Sequence, residues 1–530
     1  MGRSTKGSRK VRKIRDVIHD YIDITSIEDN LINSREFQRL RYISQNSLAY
    51  FTFPSNTTNR FSHSLGVMHI GGKMFCNALE NTDEETLNEF LKESKNLIKR
   101  TCHTKDIDFE TITSKWVDFF GNISGFNHSP IDLSKPMWLD PEQITSLNIL
   151  WQSVRIACMI HDIGHFPFSH LFENALNDFI QKGNPLEILS INETITQWQE
   201  EYKEYIKDHN NLVQPNIDTN ESNEIELPGL HEVKGVLILK NFYPNSFNTD
   251  ISDLIKICLT LGKSIFIHNR TTNTKSRNSI LDSLHTIVSS DLDADRLDYC
   301  IRDPFASGLE LGAYDLKRII SSTILRKKED NGGKYFEIVF GLSGISAIET
   351  FFHQRYLMYE YLIFHHNVSR LDGALEKVIG MLFELYSINN SVIKETIEEF
   401  GLINIENDKV KLLDKYEFYN YDDYWLKTLL NRIYSLIQNE KKIKNKENPN
   451  FKLDSKLAQL DIYLEMVLFR NNNHIITQWK RNDDIDSYIK KIKLKLNQES
   501  LPEIDETTII KNLNSLFKNE LIESKECLNL

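Results

Sequence analysis

The chain has 530 residues, of which 40% are apolar and 26% charged, and its formal net charge is -12. This composition is typical of a globular protein and excludes a largely disordered or collagen-like chain. No stretch approaches the run of about 18 apolar residues that a membrane-spanning helix needs, so we expect no membrane association.

The six cysteines are scattered along the chain and form no Cys-x-x-Cys pair. This spacing argues against a disulfide framework and against a thiolate zinc site. The first residues are basic but no apolar segment follows them, so they do not resemble a secretory signal. Both features predict a protein of the reducing cytoplasm.

The chain begins with a basic segment, residues 1–15, in an otherwise acidic protein. Two interpretations remain open, a solvated tail or an arm that binds nucleotide or nucleic acid. Further along, residues 34–44 place Phe37, Leu40 and Ile43 at helical spacing, with Ser34 as a suitable N-cap.

Two polar stretches, residues 80–147 and 183–229, have the composition of insertions between the helices that carry the candidate chemistry. Residues 333–344 are the best candidate for a short hairpin or an edge strand. Residues 345–366 predict one long, unbroken apolar helix, and from about residue 400 onward the chain is helical without candidate chemistry. The pattern predicts a mainly α protein with minor β content.

The most informative cluster is CMIHDIGHFPFSH, residues 158–170. His161 and Asp162 follow an apolar helical segment, and a buried aspartate is unfavourable unless it is paired or binds a metal. His165 lies one helical turn after His161, so we expect the two to share a face before Gly164 and Pro167 end the helix. An isolated His-Asp pair of purely structural role is the alternative.

Two further stretches supply matching residue types. RFSHSLGV, residues 60–67, offers His63 at the beginning of a helix. SSDLDADRLDYCIRD, residues 289–303, places Asp295 and Asp298 one helical turn apart, where they would repel each other in a dry site. A cation would relieve this repulsion, and so would Arg296 or Arg302. The alternative is a helix start with acidic residues favoured by the helix dipole.

The order His…His-Asp…Asp, together with the flanking sequence, resembles the deoxynucleoside triphosphate (dNTP) triphosphohydrolases of the HD superfamily, of the SAM-and-HD-domain type and its bacterial relatives. The matching stretches are EFQRLRYISQ, FPSNTTNRFSHSLGV, HDIGHFPFSH, LPGLHEVKG, DLDADRLDYCIRD and FHQRYLMYEYLIFHH. The resemblance implies an HD-domain helical core over residues 16–375, interrupted by the two insertions, and a helical C-terminal region over residues 376–530.

The resemblance also implies a metal site and a reaction. One divalent ion (iron, manganese or magnesium, with zinc as an alternative) would be held by His63, His161, Asp162 and Asp295. Water activated by the ion would attack the α-phosphorus and release nucleoside and triphosphate. His170 and His231 would protonate the leaving oxygen, Glu173 would orient one of them, and Glu232 is an alternative for that role.

The remaining implied roles concern the substrate. His165 would contact the phosphate, and arginines would bind the triphosphate chain. The implied substrate-binding residues are Gln45, Arg60, Arg296, Tyr299, Asp303 and Arg355. Gln45 and Asp303 would bond the 3′-hydroxyl, and Tyr299 would pack against the sugar. Ordinary core, surface or ion-pair roles stay open for Tyr299 and the arginines.

The resemblance further implies a homo-oligomer (dimer, tetramer or hexamer), a nucleotide effector, and a role in dNTP pool control or antiphage defence. Asn33 stands where some relatives have an acidic residue that reads guanine, and Asn46-Ser47-Leu48 replaces a glycine-rich turn. One alternative is an HD-type phosphodiesterase or nuclease acting on nucleic acid or a cyclic nucleotide. Another is a non-catalytic nucleotide sensor.

Overall fold

A computed structural model describes residues 12–113, 140–181, 187–213, 227–240, 252–267, 279–330, 333–387, 390–406, 409–413, 418–447 and 453–471. Helices dominate these residues, and strands occur in them only as two-stranded antiparallel hairpins. The predicted mainly α fold with minor β content is therefore confirmed. None of the described helices is long and apolar enough to cross a membrane.

The chain divides into two compact units, Met1–Ile433 and Tyr434–Leu530. All the residues with predicted chemistry lie in the first unit. In the second unit, the described residues include the helix Ser455–Phe469, which buries Leu460 and Leu464. The predicted limits of the HD domain and of its insertions stay predictions.

The first half of the chain begins with a hairpin and continues in helices. Strands Arg12–Asp16 (β1) and Asp20–Ile24 (β2) pair antiparallel. The helices that follow are Ser26–Ile32 (α1), Arg35–Gln38 (α2), Arg60–Glu80 (α3), Glu84–Thr104 (α4), Pro141–Ile160 (α5), His170–Gln181 (α6), Glu187–Val213 (α7) and Leu230–Lys240 (α8).

The second half is also mainly helical and contains two further hairpins. Its helices are Ser252–Ile267 (α9), Ser279–Val288 (α10), Ala294–Ser307 (α11), Leu316–Ser321 (α12), Ile345–Met358 (α13), His366–Ser387 (α14), Ser391–Glu399 (α15), Asp423–Glu447 (α16) and Ser455–Phe469 (α17). Its hairpins pair Thr323–Asp330 (β3) with Gly333–Phe340 (β4), and Ile403–Glu406 (β5) with Lys409–Leu412 (β6). Of the two predictions for residues 333–344, the strand is the one found: residues 333–340 form β4, the second strand of the β3–β4 hairpin, and a 3-10 turn follows at Leu342–Gly344.

Helices α3 and α5 form the centre of the first unit. They pack against each other, α9 packs on α5, and α11 packs on α3. Both central helices have apolar residues on nearly every face, as expected of helices buried on all sides. Asp140 begins α5 with a capping box that includes Gln143, and Pro141 takes the first helical position. The end of α5 and the start of α3 therefore meet inside the protein.

A buried ion pair joins α1 to α5. Glu28 is fully buried, and its carboxylate accepts hydrogen bonds from Arg155 at 2.6 and 2.9 Å and from Gln152 at 2.7 Å. The same carboxylate closes the capping box of α1 by accepting from the Thr25 amide at 2.9 Å. One side chain thus fixes the N-terminal segment to the central helix.

Two helix predictions need correction. Ser34 does cap a helix, but α-helical structure there ends at Gln38 and a 3-10 turn follows to Tyr42. The single unbroken helix predicted over residues 345–366 is wrong, because α13 ends at Met358 and a π-helical turn spans Tyr359–Ile363. That run contains no glycine or proline, so its composition gives no indication of the change in hydrogen bonding.

The buried ion pair of Glu28 predicts that removing its carboxylate destabilises the protein more than removing a carboxylate at the surface. We expect Glu28→Ala to destabilise the fold by about 3–5 kcal/mol, because it leaves the Arg155 guanidinium buried without its counter-charge. The thermal midpoint in calorimetry should fall by roughly 5–10 °C. Glu395→Ala, at an exposed position of α15, is the matched control. An unchanged midpoint for Glu28→Ala would contradict the assignment.

Candidate metal centre and active site

Three helix ends bring the four predicted metal ligands together. His63 lies in the first turn of α3, which Asn59 caps through the Ser62 amide at 3.0 Å. Asp295 lies in the first turn of α11, and His161 and Asp162 follow the last residue of α5. These ends converge because α3 packs against both α5 and α11.

The ligand atoms lie within a few ångströms of one another. Asp295 Oδ1 is 2.9 Å from His63 Nε2 and 3.8 Å from His161 Nε2. The Asp162 carboxylate is 3.3 Å from His161 Nε2 and 3.7 Å from His63 Nε2. The structure therefore brings His63, His161, Asp162 and Asp295 together as the sequence predicted.

The donor set fits a divalent ion. Nε2 of His63 and Nε2 of His161 are buried and face the two carboxylates, with Asp295 Oδ1 2.9 Å from the first nitrogen and Asp162 Oδ1 3.3 Å from the second. Two buried imidazole nitrogens this close to two carboxylates form a set of donors that one metal ion can bind. Two imidazoles with two carboxylates suit iron, manganese, zinc or magnesium.

The opposite nitrogen of each imidazole is fixed. His63 Nδ1 lies 2.9 Å from Asp298 Oδ2, and His161 Nδ1 lies 2.7 Å from the Cys158 carbonyl oxygen. These contacts fix the orientation of both rings, so that each Nε2 faces the cluster. The side of each ring that a metal ion would bind is therefore set by the fold.

Asp298 is the centre of a buried network behind His63. Arg302 donates to it at 2.7 and 3.0 Å, and His19 Nε2 lies 2.6 Å away. Arg302 in turn contacts Asp16 at 2.9 and 3.2 Å. Burial alone would raise the pKa of Asp298, but the Arg302 charge and the hydrogen bonds from His19 and His63 hold it well below its usual range.

Gly66 makes this network sterically feasible. A Cβ atom at this position would lie 1.9 Å from Asp298 Oδ1 and 2.6 Å from an Arg302 guanidinium nitrogen. Real Cβ atoms do not approach this closely, and neither partner can retreat because both are buried. The glycine after His63 in RFSHSLGV is thus required by the carboxylate behind the metal ligand.

The turn after His161 differs from its prediction. Helix α5 ends at Ile160, so His161 and His165 do not share a helical face. Gly164 lets this turn pack closely on α8, because a Cβ at this position would lie 2.0 Å from the His231 carbonyl oxygen. The turn instead brings His165 Nε2 to 3.0 Å from Asp162 Oδ1.

Three histidines form a second cluster beside Asp162. The rings of His165 and His231 stack at 4.4 Å with an interplanar angle of 10°, and His170 meets both edge-on at 4.9 and 5.1 Å. A metal lies in the plane of each imidazole that binds it. The parallel planes of His165 and His231 therefore favour proton transfer over a shared ion.

Glu173 orients this second cluster. Its carboxylate lies 2.7 Å from His231 Nδ1, 3.6 Å from His170 Nδ1, and 2.5 Å from the Leu230 amide that donates to it. Burial would raise the pKa of Glu173, but hydrogen bonds from His170 and His231 hold it well below its usual range. One buried carboxylate thus contacts both imidazole rings.

The predicted phosphate-binding arginines differ in their partners. Arg60 is buried and contacts Asp162 at 2.7 Å, so it lies at the metal cluster itself. Arg296 pairs with Asp293, the N-cap of α11. Arg355 is partly exposed, and its Nε lies 3.2 Å from the Tyr299 hydroxyl.

The predicted sugar-binding residues contain unsatisfied atoms. Gln45 Oε1 and Asp303 Oδ1 are buried, and within the described ranges neither has a hydrogen-bond partner. Burial raises the pKa of Asp303 to about 7. Such atoms are uncommon in stable structures unless a ligand or water satisfies them.

The basic side chains in the described part of the N-terminal segment already form ion pairs. Arg12 contacts Asp29, Lys13 lies 3.4 Å from Asp23, and Arg15 lies 3.1 Å from Asp20. These pairs leave little uncompensated positive charge on β1. A nucleic-acid partner for residues 1–15 therefore stays a prediction, and residues 1–11 lie outside the described residues.

Comparisons with known proteins find no matching family model but several relatives. Uncharacterized protein YwfO of Bacillus subtilis (strain 168) is 23% identical over 373 residues, 70% of this chain and 56% of that protein. A putative HD domain-containing protein of Acanthamoeba polyphaga mimivirus is 23% identical over 379 residues, 71% of this chain and 59% of that protein. The chain thus spans little more than half of either relative.

A shorter match has a named activity. The deoxynucleoside triphosphate triphosphohydrolase SAMHD1 homolog of Dictyostelium discoideum is 32% identical over 135 residues, 25% of this chain and 26% of that protein. Among solved structures, a phosphohydrolase from Bacteroides thetaiotaomicron has a TM-score of 0.46 and 18% identity, covering 93% of this chain and 85% of that one. The sequence relatives confirm the resemblance to HD-domain proteins and to SAMHD1.

The lack of space for a Cβ atom at Gly66 predicts that a larger residue at this position weakens metal binding. We expect Gly66→Ala to displace Asp298 and so misorient His63, lowering the metal content measured by elemental mass spectrometry. Gly380→Ala is the matched control, because a Cβ there meets nothing within 4 Å. That control should keep the metal and gain up to about 1 kcal/mol of helix stability. Equal metal contents in the two variants would contradict the proposed role of Asp298.

Proposed function

Because the chain resembles HD-domain phosphohydrolases and SAMHD1 proteins, we propose that it hydrolyses deoxynucleoside triphosphates to deoxynucleoside and triphosphate. The observation that carries the proposal is the position of a histidine cluster suited to proton transfer directly beside a metal cluster. Asp162 belongs to the metal cluster and lies 3.0 Å from His165 of the histidine cluster. A phosphate group held between them would have an activated water on one side and a proton donor on the other.

The proposed ligands are His63, His161, Asp162 and Asp295. A divalent ion there (iron, manganese or magnesium, with zinc as the alternative) supplies Lewis acidity toward phosphate and eases the deprotonation of water. The ligand nitrogens are held ready by Asp298 and by the Cys158 carbonyl.

The histidine cluster supplies the proton that the leaving 5′-oxygen needs. His231 is the better held donor, since Glu173 fixes its Nδ1 at 2.7 Å. His170 is the more exposed donor and lies 3.6 Å from the same carboxylate. His165 is buried and faces Asp162, which suits a contact with the phosphate.

The substrate contacts follow from the remaining polar groups. Arg60 and Arg355 would bind phosphate oxygens through guanidinium forks, with Arg296 near the start of α11. Gln45 Oε1 can accept a hydrogen bond from a 3′-hydroxyl, and Asp303, with its raised pKa, can donate or accept one. Tyr299, joined to Arg355, would pack against the sugar.

The resemblance also supports the wider parts of the proposal. These are a cytoplasmic homo-oligomer (dimer, tetramer or hexamer), control by a nucleotide effector, and a role in dNTP pool control or antiphage defence. The names of the SAMHD1 relatives state only the triphosphohydrolase activity.

A second reaction is favoured by one observation. Arg60 and Arg296 are each paired with an aspartate, so among the described residues Arg355 alone of the three arginines has no carboxylate partner. A substrate with fewer charges than a triphosphate needs fewer free cations. This feature favours an HD-type phosphodiesterase or nuclease, which would release a monophosphate product.

The paired change His161→Ala and Asp162→Ala should abolish turnover, because it removes two of the four ligands. Hydrolysis of each dNTP with Mn²⁺, Fe²⁺ or Mg²⁺ is followed by anion-exchange chromatography of nucleoside and triphosphate. Far-UV circular dichroism should show the helicity retained. Turnover that survives the change would refute the metal assignment, and monophosphate as the wild-type product would favour the phosphodiesterase.

Glu173→Gln should lower kcat by about 10- to 100-fold. The neutral amide is a weaker acceptor for the hydrogen bonds from His231 and His170, so both rings lose their fixed orientation while the metal content stays unchanged. Asp178→Asn changes an exposed carboxylate on the same helix and is the control. An unchanged kcat in Glu173→Gln would show that Glu173 does not orient the histidines for turnover.

A further inference from the structure

The loop between the metal-binding turn and α6 has an unusual backbone. Phe168 and Ser169 have φ values of 54° and 55°, and no other consecutive pair of non-glycine residues in the described ranges has positive φ. L residues are disfavoured in this region because Cβ approaches the backbone carbonyl. The conformation persists only if surrounding contacts enforce it, and His170 follows directly.

A carboxylate from a distant part of the chain enforces this loop. Asp423, the first residue of α16, is 4% exposed, and its Oδ1 accepts from the Phe168 amide at 2.6 Å. Its Oδ2 accepts from the Ser44 amide at 2.8 Å and from the Ser44 hydroxyl. Both oxygens are thus used, one on each of two loops.

Direct contacts reinforce the same junction. Ser169 Oγ donates to the Ser44 carbonyl at 3.1 Å and accepts from Arg60 Nε at 3.0 Å. Ser47, which also has positive φ, donates through Oγ to the Phe168 carbonyl at 3.2 Å. The two loops therefore form one unit, and Asp423 is the buried charge shared between them.

We propose that Asp423 is a positioning residue that holds the loop of Gln45 and the loop of His170 in fixed relation to each other. The inference rests on the proposed function, in which Gln45 binds the 3′-hydroxyl and His170 belongs to the proton-donating cluster. Each of these residues lies one or two positions from an atom that Asp423 contacts. The carboxylate thereby sets the distance between Gln45, which would bind the sugar, and His170, which would donate the proton.

The test compares Asp423→Asn with Asp422→Asn in the full chain. Asparagine has nearly the shape of aspartate but is neutral and keeps only one acceptor oxygen, so one of the two loops loses its hydrogen-bond acceptor. Asp422 directly precedes α16, and its carboxylate accepts from the Trp425 amide in the first turn of that helix at 2.9 Å. Hydrogen exchange followed by mass spectrometry measures how fast the backbone amides of residues 43–47 and 166–170 exchange, and this measurement does not depend on enzyme activity.

We expect Asp423→Asn to speed amide exchange in at least one of these loops about tenfold, while Asp422→Asn leaves both unchanged. We also expect kcat to fall about 10- to 100-fold at unchanged metal content. The ratio of kcat/KM for a dNTP to that for its 3′-deoxy analogue should shrink, because Gln45 is no longer fixed. A purely structural role would not alter this ratio.

Two results would overturn the inference. One is unchanged exchange in both loops of Asp423→Asn. The other is faster exchange with kcat and the 3′-deoxy ratio both as in the wild type. If the wild type hydrolyses no nucleotide, the proposed function fails, and the exchange rates still decide whether Asp423 holds the loops. If Asp423→Asn does not fold, Ser44→Ala removes only the hydroxyl donor and should speed exchange about threefold.

Discussion

The buried carboxylate of Asp298 is the interaction on which the metal cluster depends. It accepts from His63 and Arg302 and contacts His19, and it has no exposed surface. A buried carboxylate left without partners is strongly destabilising, so each of these contacts supports the others. Because Asp16 pairs with Arg302 in turn, the orientation of the candidate ligand His63 is tied to the N-terminal hairpin. The hairpin therefore supports the candidate site.

Close packing of helices explains the glycines in the motifs. Gly66 admits the Asp298 carboxylate against α3, and Gly164 admits the backbone of α8 against the turn after His161. Neither residue has chemistry of its own. The first lets the support of His63 stay buried, and the second brings His231 to stack on His165. The same close approaches that define the fold thus set the distance between the metal cluster and the histidine cluster.

The four candidate ligands were implied by the family resemblance, and local pattern indicated only the helices around them. His63 and Asp295 lie in the first turns of helices, and His161 and Asp162 follow a strongly apolar helix. The π turn after Met358 escaped prediction because an apolar run without glycine or proline looks the same in either helix type. The contacts of His19 and Asp423 escaped it for a different reason. Each spans hundreds of residues, and no local spacing relates the two partners.

Two kinds of unfavourable feature meet in the same part of the molecule. Phe168 and Ser169 are strained, while Gln45 Oε1 and Asp303 Oδ1 are buried acceptors without partners in the described structure. Asp423 holds the strained loop, whereas the acceptors of Gln45 and Asp303 are left for a ligand or water. Conformation and hydrogen bonding therefore support a candidate site in this part of the molecule without reference to any relative.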